Sequence, residues 1–290
     1  MDMIRFMGGL GNQMFQYALL RSLQARGRQV KGSLGFYRLH PELMQFCLTD
    51  VFQNVRIEFE EDSVFDEIYA HWRMIKEDEE RLKQFLRNYT SCFFWVEQEY
   101  GTYDPHVYDT SNCVYAGYWQ TEKYFKHIRN DLLSEFRFPC GEEKYRCFRE
   151  RFLNSVNYVS VHVRRGDYMA EPDVYGNLSL SGYYNRAMDY MRSRVEHAVF
   201  VYFSDDMNWV KNHFSDKDGI FIEADLFEDY QMWYDMSLMS CCANHIIANS
   251  SFSWWGAWLN ERGDKIVVAP GKWLYDHRTP DIWCDGWIKI

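Results

Sequence analysis

Strands and helices alternate regularly in the second half of the chain, and this rhythm restricts the possible folds more than any other feature. Between Cys140 and Ala269, short apolar runs rich in β-branched residues alternate with segments whose apolar residues recur at helical spacing. Such alternation predicts right-handed βαβ units and a parallel sheet with helices on both faces. We therefore predict an α/β fold in which residues 141–290 form a Rossmann-like domain.

The first half of the chain opens with a unit of the same kind. Met3–Phe6 form an apolar strand candidate, a glycine-rich turn follows, and residues 12–26 have the spacing of a helix. Val30–Tyr37 predict the next strand, whereas the charged stretch Glu58–Arg87 predicts one or two helices with a solvated face. Residues 1–140 are therefore expected to form a second Rossmann-like domain.

Composition excludes several classes of protein. The net charge of −10 argues against a nucleic-acid binder, for which a basic face is expected. The first residues lack the pattern of a signal peptide, and no apolar run reaches the roughly 18 residues of a membrane helix, so no integral membrane segment is predicted. The cysteines form no CxxC pair, which predicts reduced thiols and, with the missing export signal, a cytoplasmic protein.

A polar cluster ends the most strand-like segment of the chain, Tyr158–Val163. Its members are His162, Arg164, Arg165 and Asp167, with Gly166 as a flexible break. A surface salt-bridge cluster would give the same pattern. In an acidic protein, however, two arginines at the carboxyl edge of a parallel sheet favour a small anionic ligand, because guanidinium groups match phosphate and stay charged.

Three loops of the second half are expected to share a cleft, because the carboxyl ends of parallel strands lie at one edge. They are residues 162–167, 204–206 and 249–253. In the last loop one serine is expected to cap a helix, and the others could bind a phosphate. Asp205-Asp206 could hold Mg²⁺ or form a plain surface turn, but we interpret this pair as a loop end that contacts a nucleoside.

The glycine-rich turn of the first half lies at the start of a helix. Gly9, Asn12 and Gln13 are placed where helix N–H groups face an anion. The spacing is neither GxGxxG nor a P-loop, so neither mechanism is predicted. A tight βα turn is the alternative, but the two side-chain amides favour a ligand contact.

Five motifs together resemble glycosyltransferase family 11, the α-1,2-fucosyltransferases that use GDP-L-fucose. They are GGLGNQMFQYA at Gly8–Ala18, GYWQTEKYF at Gly117–Phe125, HVRRGDY at His162–Tyr168, FSDD at Phe203–Asp206 and HIIANSSFSWWGAWL at His245–Leu259. The resemblance covers nearly the whole chain, from residue 8 to residue 259.

The resemblance implies two facing Rossmann-like domains of the GT-B type. Residues 1–140 would form the acceptor side and residues 141–290 would bind the GDP-sugar, with roughly the last 20 residues able to pack back on the first domain. It also implies an inverting, metal-independent transfer of L-fucose to the 2-hydroxyl of a terminal β-galactose. No cofactor is expected besides the donor substrate, and the absence of an N-terminal anchor suits a bacterial enzyme.

The resemblance further implies roles for single residues. Arg164 would neutralise the GDP leaving group, His162 would lie against the nucleotide, and Arg165 and Asp167 would order Arg164 and the acceptor side. The predicted catalytic residues are Arg164, His162 and Asp167. The predicted donor-binding residues are Gly9, Asn12, Gln13, His162, Arg164, Arg165, Asp205, Asn249, Ser250, Ser251 and Phe252. The catalytic base stays open, and a transferase of another GDP-sugar or a non-catalytic binding module are the alternatives.

Overall fold

The computed structural model describes residues 2–60, 93–97, 100–214, 219–276, 278 and 280–290. The chain divides into two compact units, Met1–Arg137 and Phe138–Ile290. Within the described residues, each unit contains one sheet whose strand pairs are all parallel. The acceptor-side and donor-side roles of the two halves stay predictions.

The first unit is built on a sheet with the strand order β2-β1-β4-β3. Among the described residues, its strands are β1 (Asp2–Arg5), β2 (Val30–Ser33), β3 (Phe93–Val96) and β4 (Cys113–Ala116), and its helices are α1 (Leu10–Ala25), α2 (Gly35–Leu39), α3 (Leu48–Val51) and α4 (Arg129–Glu135). Because β1 pairs with both β2 and β4, the glycine turn that follows β1 lies centrally at the carboxyl edge of this sheet.

Helix α1 forms where the apolar spacing predicted it. Phe15, Leu19 and Leu23 recur at helical spacing and are completely buried. Burial of side chains of this size contributes about 1.5–3 kcal/mol each to stability. The helix ends before Gly27, which has a φ of +78° that favours glycine.

The predicted strand Val30–Tyr37 is wrong in its second half. Strand β2 ends at Ser33, and the next residues turn into the short helix α2. The turn lets the Tyr37 hydroxyl donate a 2.7 Å hydrogen bond to the carbonyl of Gly8. A local run of apolar residues does not show this contact between distant parts of the chain. The helices predicted in Glu58–Arg87 lie outside the described residues from position 61 onward.

The second unit is built on a larger sheet with the strand order β10-β9-β8-β5-β6-β7. Its strands are β5 (Tyr158–Val163), β6 (Val199–Ser204), β7 (Ile220–Phe221), β8 (Asn244–Ile246), β9 (Val267–Ala269) and β10 (Ile288–Lys289). Its helices are α5 (Glu143–Leu153), α6 (Pro172–Tyr175), α7 (Tyr183–Arg192), α8 (Met207–His213), α9 (Trp233–Cys241) and α10 (Ser251–Trp258).

Helices cover both faces of the second sheet. Val161 points into an apolar cluster that includes Met188 of α7 and Val210 of α8. Residues of β5 on the opposite face meet other helices, since the ring of Tyr158 lies 5.0 Å from that of Phe152 in α5. Parallel sheets covered in this way read as nearly continuous apolar strands, as β5 does. The predicted α/β class with Rossmann-like, parallel sheets is thereby confirmed.

The end of the chain belongs to the second unit. Ile288 and Lys289 pair in parallel with Val268 and Ala269 at one edge of the sheet. That the last residues also pack on the first domain stays a prediction. None of the described helices combines the length and apolarity needed to cross a membrane.

Candidate active site

The three loops predicted to share a cleft do meet at the carboxyl edge of the second sheet. Strand β5 lies between β6 and β8, so the segments that follow these strands are neighbours. Arg164 contacts Asp205 in the loop after β6, where an Nη1 atom lies 3.0 Å from Oδ2. The ring of His162 lies 5.9 Å from that of Phe252 at the start of α10. The sheet topology therefore brings the predicted site residues of this unit together.

Two arginine–aspartate pairs occupy this edge. Besides the Arg164–Asp205 pair, the Nε of Arg165 lies 2.9 Å from Oδ2 of Asp206. Arg165 also donates to the hydroxyl of Ser179 at 2.8 Å, and its guanidinium lies 4.2 Å from the ring of Trp209. These contacts hold Arg165 within the fold, whereas the Arg164 side chain keeps 30% of its surface exposed. Arg164 is therefore the better placed of the two to meet a ligand.

Asp206 has a structural role at the start of α8. Its carboxylate accepts a 3.1 Å hydrogen bond from the backbone N–H of Trp209 and caps the helix. The hydrogen bond from Arg165 lowers the pKa of this carboxyl group. Among the described residues, no cluster of three or more His, Cys, Asp or Glu side chains could hold a metal ion.

His162 is buried and neutral. Only 6% of its surface is exposed, and burial, aided by the charge of Arg164, lowers the pKa of its imidazole to about 3. Its Nδ1 atom is buried and has no hydrogen-bond partner within the described part of the chain. An imidazole with so low a pKa is a weak proton acceptor near neutral pH, which disfavours His162 as a general base.

The segment after Gly166 lies against the loop that follows β8. Asp167 begins a 3-10 turn that runs to Ala170, and its side chain lies outside the described structure. The Tyr168 hydroxyl donates a 3.0 Å hydrogen bond to the carbonyl of Asn249. The Tyr168 ring stacks on that of Tyr175 at 4.1 Å. The role predicted for the Asp167 carboxylate therefore stays a prediction.

The start of α10 provides both a cap and exposed polar groups. The hydroxyl of Ser250 accepts a 3.3 Å hydrogen bond from the N–H of Phe252 and caps the helix, as expected for one serine of this loop. Ser251 and Phe252 are half-buried at the first helical positions. The positive end of a helix dipole and the first N–H groups suit an anion at this point.

Asn249 was predicted to bind the donor, but the structure gives its side chain another role. Its Nδ2 donates to the backbone carbonyls of Tyr175 at 2.8 Å and of Trp273 at 3.0 Å. Asn249 is 3% exposed. The Nδ2 group therefore joins three segments of the unit, and its hydrogen bonds are made within the protein.

Gln13 in the first unit was also predicted as a ligand contact and is likewise structural. Its Nε2 donates to the carbonyls of Gly8 and Gln45 at 2.9 and 3.0 Å. Its Oε1 accepts from the N–H groups of Cys47 and Leu48, both at 3.0 Å. The side chain is completely buried. A ligand therefore has no access to it.

Asn12 keeps the exposure that a ligand contact requires. It is half-buried on the first turn of α1, next to Gly9, whose extended backbone precedes the helix. Its Oδ1 accepts a 2.7 Å hydrogen bond from Nε2 of Gln120. Gln120 is 2% exposed and belongs to the GYWQTEKYF motif, which was the one sequence signal that could have pointed to it.

Glu97 directly follows β3 at the carboxyl edge of the first sheet, and no role was predicted for it from the sequence. Its carboxylate accepts hydrogen bonds from the N–H groups of Tyr118 at 2.7 Å, Gly101 at 3.0 Å and Trp119 at 3.2 Å. Burial raises the pKa of this carboxyl group, and the three donors act against that rise. Glu97 thus shapes the loop that carries Gln120.

The chain matches one protein family over its whole length. The model of "Glycosyl transferase family 11" matches residues 1–290. The chain therefore belongs to glycosyltransferase family 11. Membership of this family supports glycosyl transfer from a nucleotide sugar as its activity. The resemblance predicted from the five motifs is confirmed.

Three relatives illustrate the range of activities in this family. The O-antigen biosynthesis glycosyltransferase WbnK of Escherichia coli is 30% identical, over 98% of this chain and 98% of the relative. An alpha-1,2-colitosyltransferase of Escherichia coli is 31% identical, over 99% of this chain and 97% of the relative. Galactoside alpha-(1,2)-fucosyltransferase 1 of Ateles belzebuth is 28% identical, over 90% of this chain and 66% of the relative.

Proposed function

We propose that this protein transfers L-fucose from GDP-L-fucose to the 2-hydroxyl of a terminal β-galactose on a glycan or oligosaccharide. The transfer inverts the configuration of the sugar and uses no metal ion or further cofactor. The proposal is supported by the family match and by the similarity to galactoside alpha-(1,2)-fucosyltransferase 1. It is also supported by the polar residues at the carboxyl edge of the second sheet. The observation that carries it is the Arg164 guanidinium at the end of β5, beside the loop that leads into the helix Ser251–Trp258.

The charges that develop during this reaction explain why such an edge suits it. Cleavage of the fucose–phosphate bond builds positive charge on the sugar and negative charge on the departing GDP. A guanidinium and the N–H groups of a helix start would stabilise the leaving diphosphate without a metal ion. The acceptor hydroxyl would attack from the opposite face of the sugar in a single step, which gives inversion.

The proton of the acceptor hydroxyl needs a destination. The low pKa of His162, caused by burial and by Arg164, makes this residue a poor acceptor for it. Asp167 is the other candidate for the general base that accepts this proton. Because bond breaking runs ahead of attack in a dissociative reaction, a weak base or solvent also suffices for this step.

A second donor is favoured by one specific comparison. The colitosyltransferase is 31% identical to this chain, whereas the galactoside fucosyltransferase is 28% identical. Colitose is L-fucose without its 3-hydroxyl, so the two donors differ by a single group. GDP-colitose is therefore the alternative donor against which GDP-L-fucose is to be compared.

The experiment measures GDP release from GDP-L-fucose, with and without lactose, in the presence of EDTA. The expected result is lactose-dependent release, with an α-1,2 linkage in the product by NMR. A parallel reaction with GDP-colitose at the same concentration ranks the two donors by kcat/KM.

Each failure of this experiment has a distinct meaning. GDP binding without release on any β-galactoside would replace the proposed acceptor by another sugar or point to a binding protein. Loss of activity with EDTA would reopen Asp205 and Asp206 as metal ligands. A much higher kcat/KM for GDP-colitose would make this chain a colitosyltransferase.

A further inference from the structure

The carboxylate of Asp205 joins two neighbouring strand ends through both of its oxygens. Its Oδ1 accepts a 3.0 Å hydrogen bond from the backbone N–H of Arg165, and its Oδ2 lies 3.0 Å from Nη1 of Arg164. One oxygen therefore fixes the backbone of the turn after β5, and the other fixes the guanidinium that this turn carries. The side chains of Arg164 and Asp205 are 30% and 24% exposed, so this ion pair is only partly shielded from solvent.

Gly166 leaves the space that Asp205 needs. A Cβ atom on this residue would lie 2.5 Å from Oδ2 of Asp205, which is closer than real Cβ atoms approach an oxygen. The atom in conflict is the same oxygen that contacts Arg164. The RRGD and SDD segments therefore pack closely because Gly166 has no side chain where the carboxylate of Asp205 lies.

We propose that Asp205 is the positioning residue for Arg164, and that it acts by holding the guanidinium towards the β-phosphate of the bound nucleotide. This inference rests on the proposed function, since it takes a nucleoside diphosphate as the ligand. It replaces the prediction that Asp205 contacts the nucleoside itself. An arginine side chain without a partner samples many rotamers, so fixing it on each nucleotide that binds costs entropy. A carboxylate that already holds the guanidinium in place removes this cost.

The first test is a comparison of substitutions in GDP release and in nucleotide affinity. Asp205→Ala removes both contacts, and we expect kcat to fall roughly tenfold to a hundredfold. Asp205→Asn keeps one oxygen acceptor and is expected to fall between the wild type and the alanine variant. Asp264→Asn is the matched control, because Asp264 pairs with Arg262 in the same unit at 3.2 Å, away from Arg164, and it is expected to leave kcat unchanged.

The second test uses Gly166 in a double-mutant cycle. Gly166→Ala alone is expected to lower kcat about as much as Asp205→Ala, because the new methyl group displaces the carboxylate. In the Asp205→Ala background the same change meets no carboxylate, so its further effect is expected to be small. Effects that multiply independently would contradict the proposal.

Nucleotide affinity provides a readout that does not need turnover. Calorimetry on the folded 290-residue chain is expected to show that wild type binds GDP more tightly than GMP. Asp205→Ala is expected to lose most of this preference while its GMP affinity stays the same. Equal losses for GDP and GMP would indicate a general structural role and overturn the proposal. Tighter GDP binding in Asp205→Ala would mean that Asp205 competes with phosphate for Arg164, which also overturns it.

The two proposals fail in different ways. If wild type binds GDP in preference to GMP but does not use GDP-L-fucose with lactose, the proposed function is wrong. The role of Asp205 is then still tested by comparing the GDP-to-GMP affinity ratios of wild type and Asp205→Ala. If wild type uses GDP-L-fucose and Asp205→Ala retains full kcat and its GDP preference, the role of Asp205 is wrong and the proposed function stands.

Discussion

Gln120 donates a hydrogen bond of 2.7 Å from Nε2 to Oδ1 of Asn12, which fixes the orientation of the Asn12 amide. The Oε1 of Gln120 in turn accepts a 2.5 Å hydrogen bond from the hydroxyl of Tyr100. Two motifs that lie far apart in sequence, GGLGNQ and GYWQ, are joined by this chain of contacts. The Nδ2 of Asn12 lies close to Gly8, since a Cβ atom on Gly8 would lie 2.4 Å from it.

Replacement of Gln120 by leucine is expected to lower kcat/KM for GDP-L-fucose roughly tenfold, because the Asn12 amide loses its fixed orientation. Steady-state GDP release measures this effect. Gln29→Leu is the control, since Gln29 is exposed and lies outside this contact network. An unchanged kcat/KM in Gln120→Leu would show that Asn12 is not used by the donor.

Gly8→Ala is expected to affect stability and activity together, whereas Gly27→Ala affects stability alone. Both glycines have positive φ, +76° and +78°, so each substitution is expected to cost about 1 kcal/mol of unfolding free energy. A Cβ on Gly8 would also lie 2.4 Å from Nδ2 of Asn12, but a Cβ on Gly27 meets no atom within 4 Å.

Urea denaturation and GDP-release assays separate these two effects. The comparison is matched because the backbone strain is nearly the same at both sites. Equal activity of the two alanine variants would remove Asn12 from the donor site.

Arg164→Ala is expected to lower turnover by a hundredfold or more while the fold survives. Loss of one preorganised donor to a developing negative charge typically costs about 3–4 kcal/mol of transition-state stabilisation. The measurement is kcat for GDP release, with circular dichroism to confirm folding. Arg192→Ala is the control, because Arg192 pairs with Asp189 on the exposed side of α7. Normal turnover in Arg164→Ala would refute the leaving-group role of Arg164.

Stability is expected to fall as the pH drops below 6.5, because two buried histidines resist protonation in the folded state. Burial lowers the pKa of His162 to about 3 and that of His245 well below its usual value of 6.5. The unfolded chain binds these protons near pH 6.5, so each histidine costs about 1.4 kcal/mol per pH unit below that value.

His162→Asn isolates one of these contributions. The slope of unfolding free energy against pH, measured by urea denaturation between pH 6.5 and 5, is expected to be smaller in the variant, by about 0.7 kcal/mol per unit at pH 6.5 and approaching about 1.4 at pH 5. The slope itself is the readout, so a general loss of stability from the substitution does not disturb the comparison. Identical slopes would mean that the imidazole of His162 is accessible to protons in the folded chain.

The order and type of the main elements followed from local patterns in the sequence. Alternating apolar runs specified β5 and α1, and the carboxyl-edge rule brought Arg164, Asp205 and Ser250 to one edge of the sheet. These features depend on which side chains can be buried at periods of 2 and 3.6 residues, and that information is present in each short stretch.

The tertiary structure alone decided what each polar side chain contacts. Gln13 and Asn249 have the chemistry of ligand contacts, but the fold places backbone carbonyls and N–H groups around them and uses their hydrogen bonds internally. Asp205, which the sequence predicted as a nucleoside contact, forms an ion pair with Arg164 in the packed chain, and local sequence patterns do not show this pairing. A hydrogen bond depends on distances of a few tenths of an ångström between residues that are far apart in sequence, and only the packed chain sets those distances.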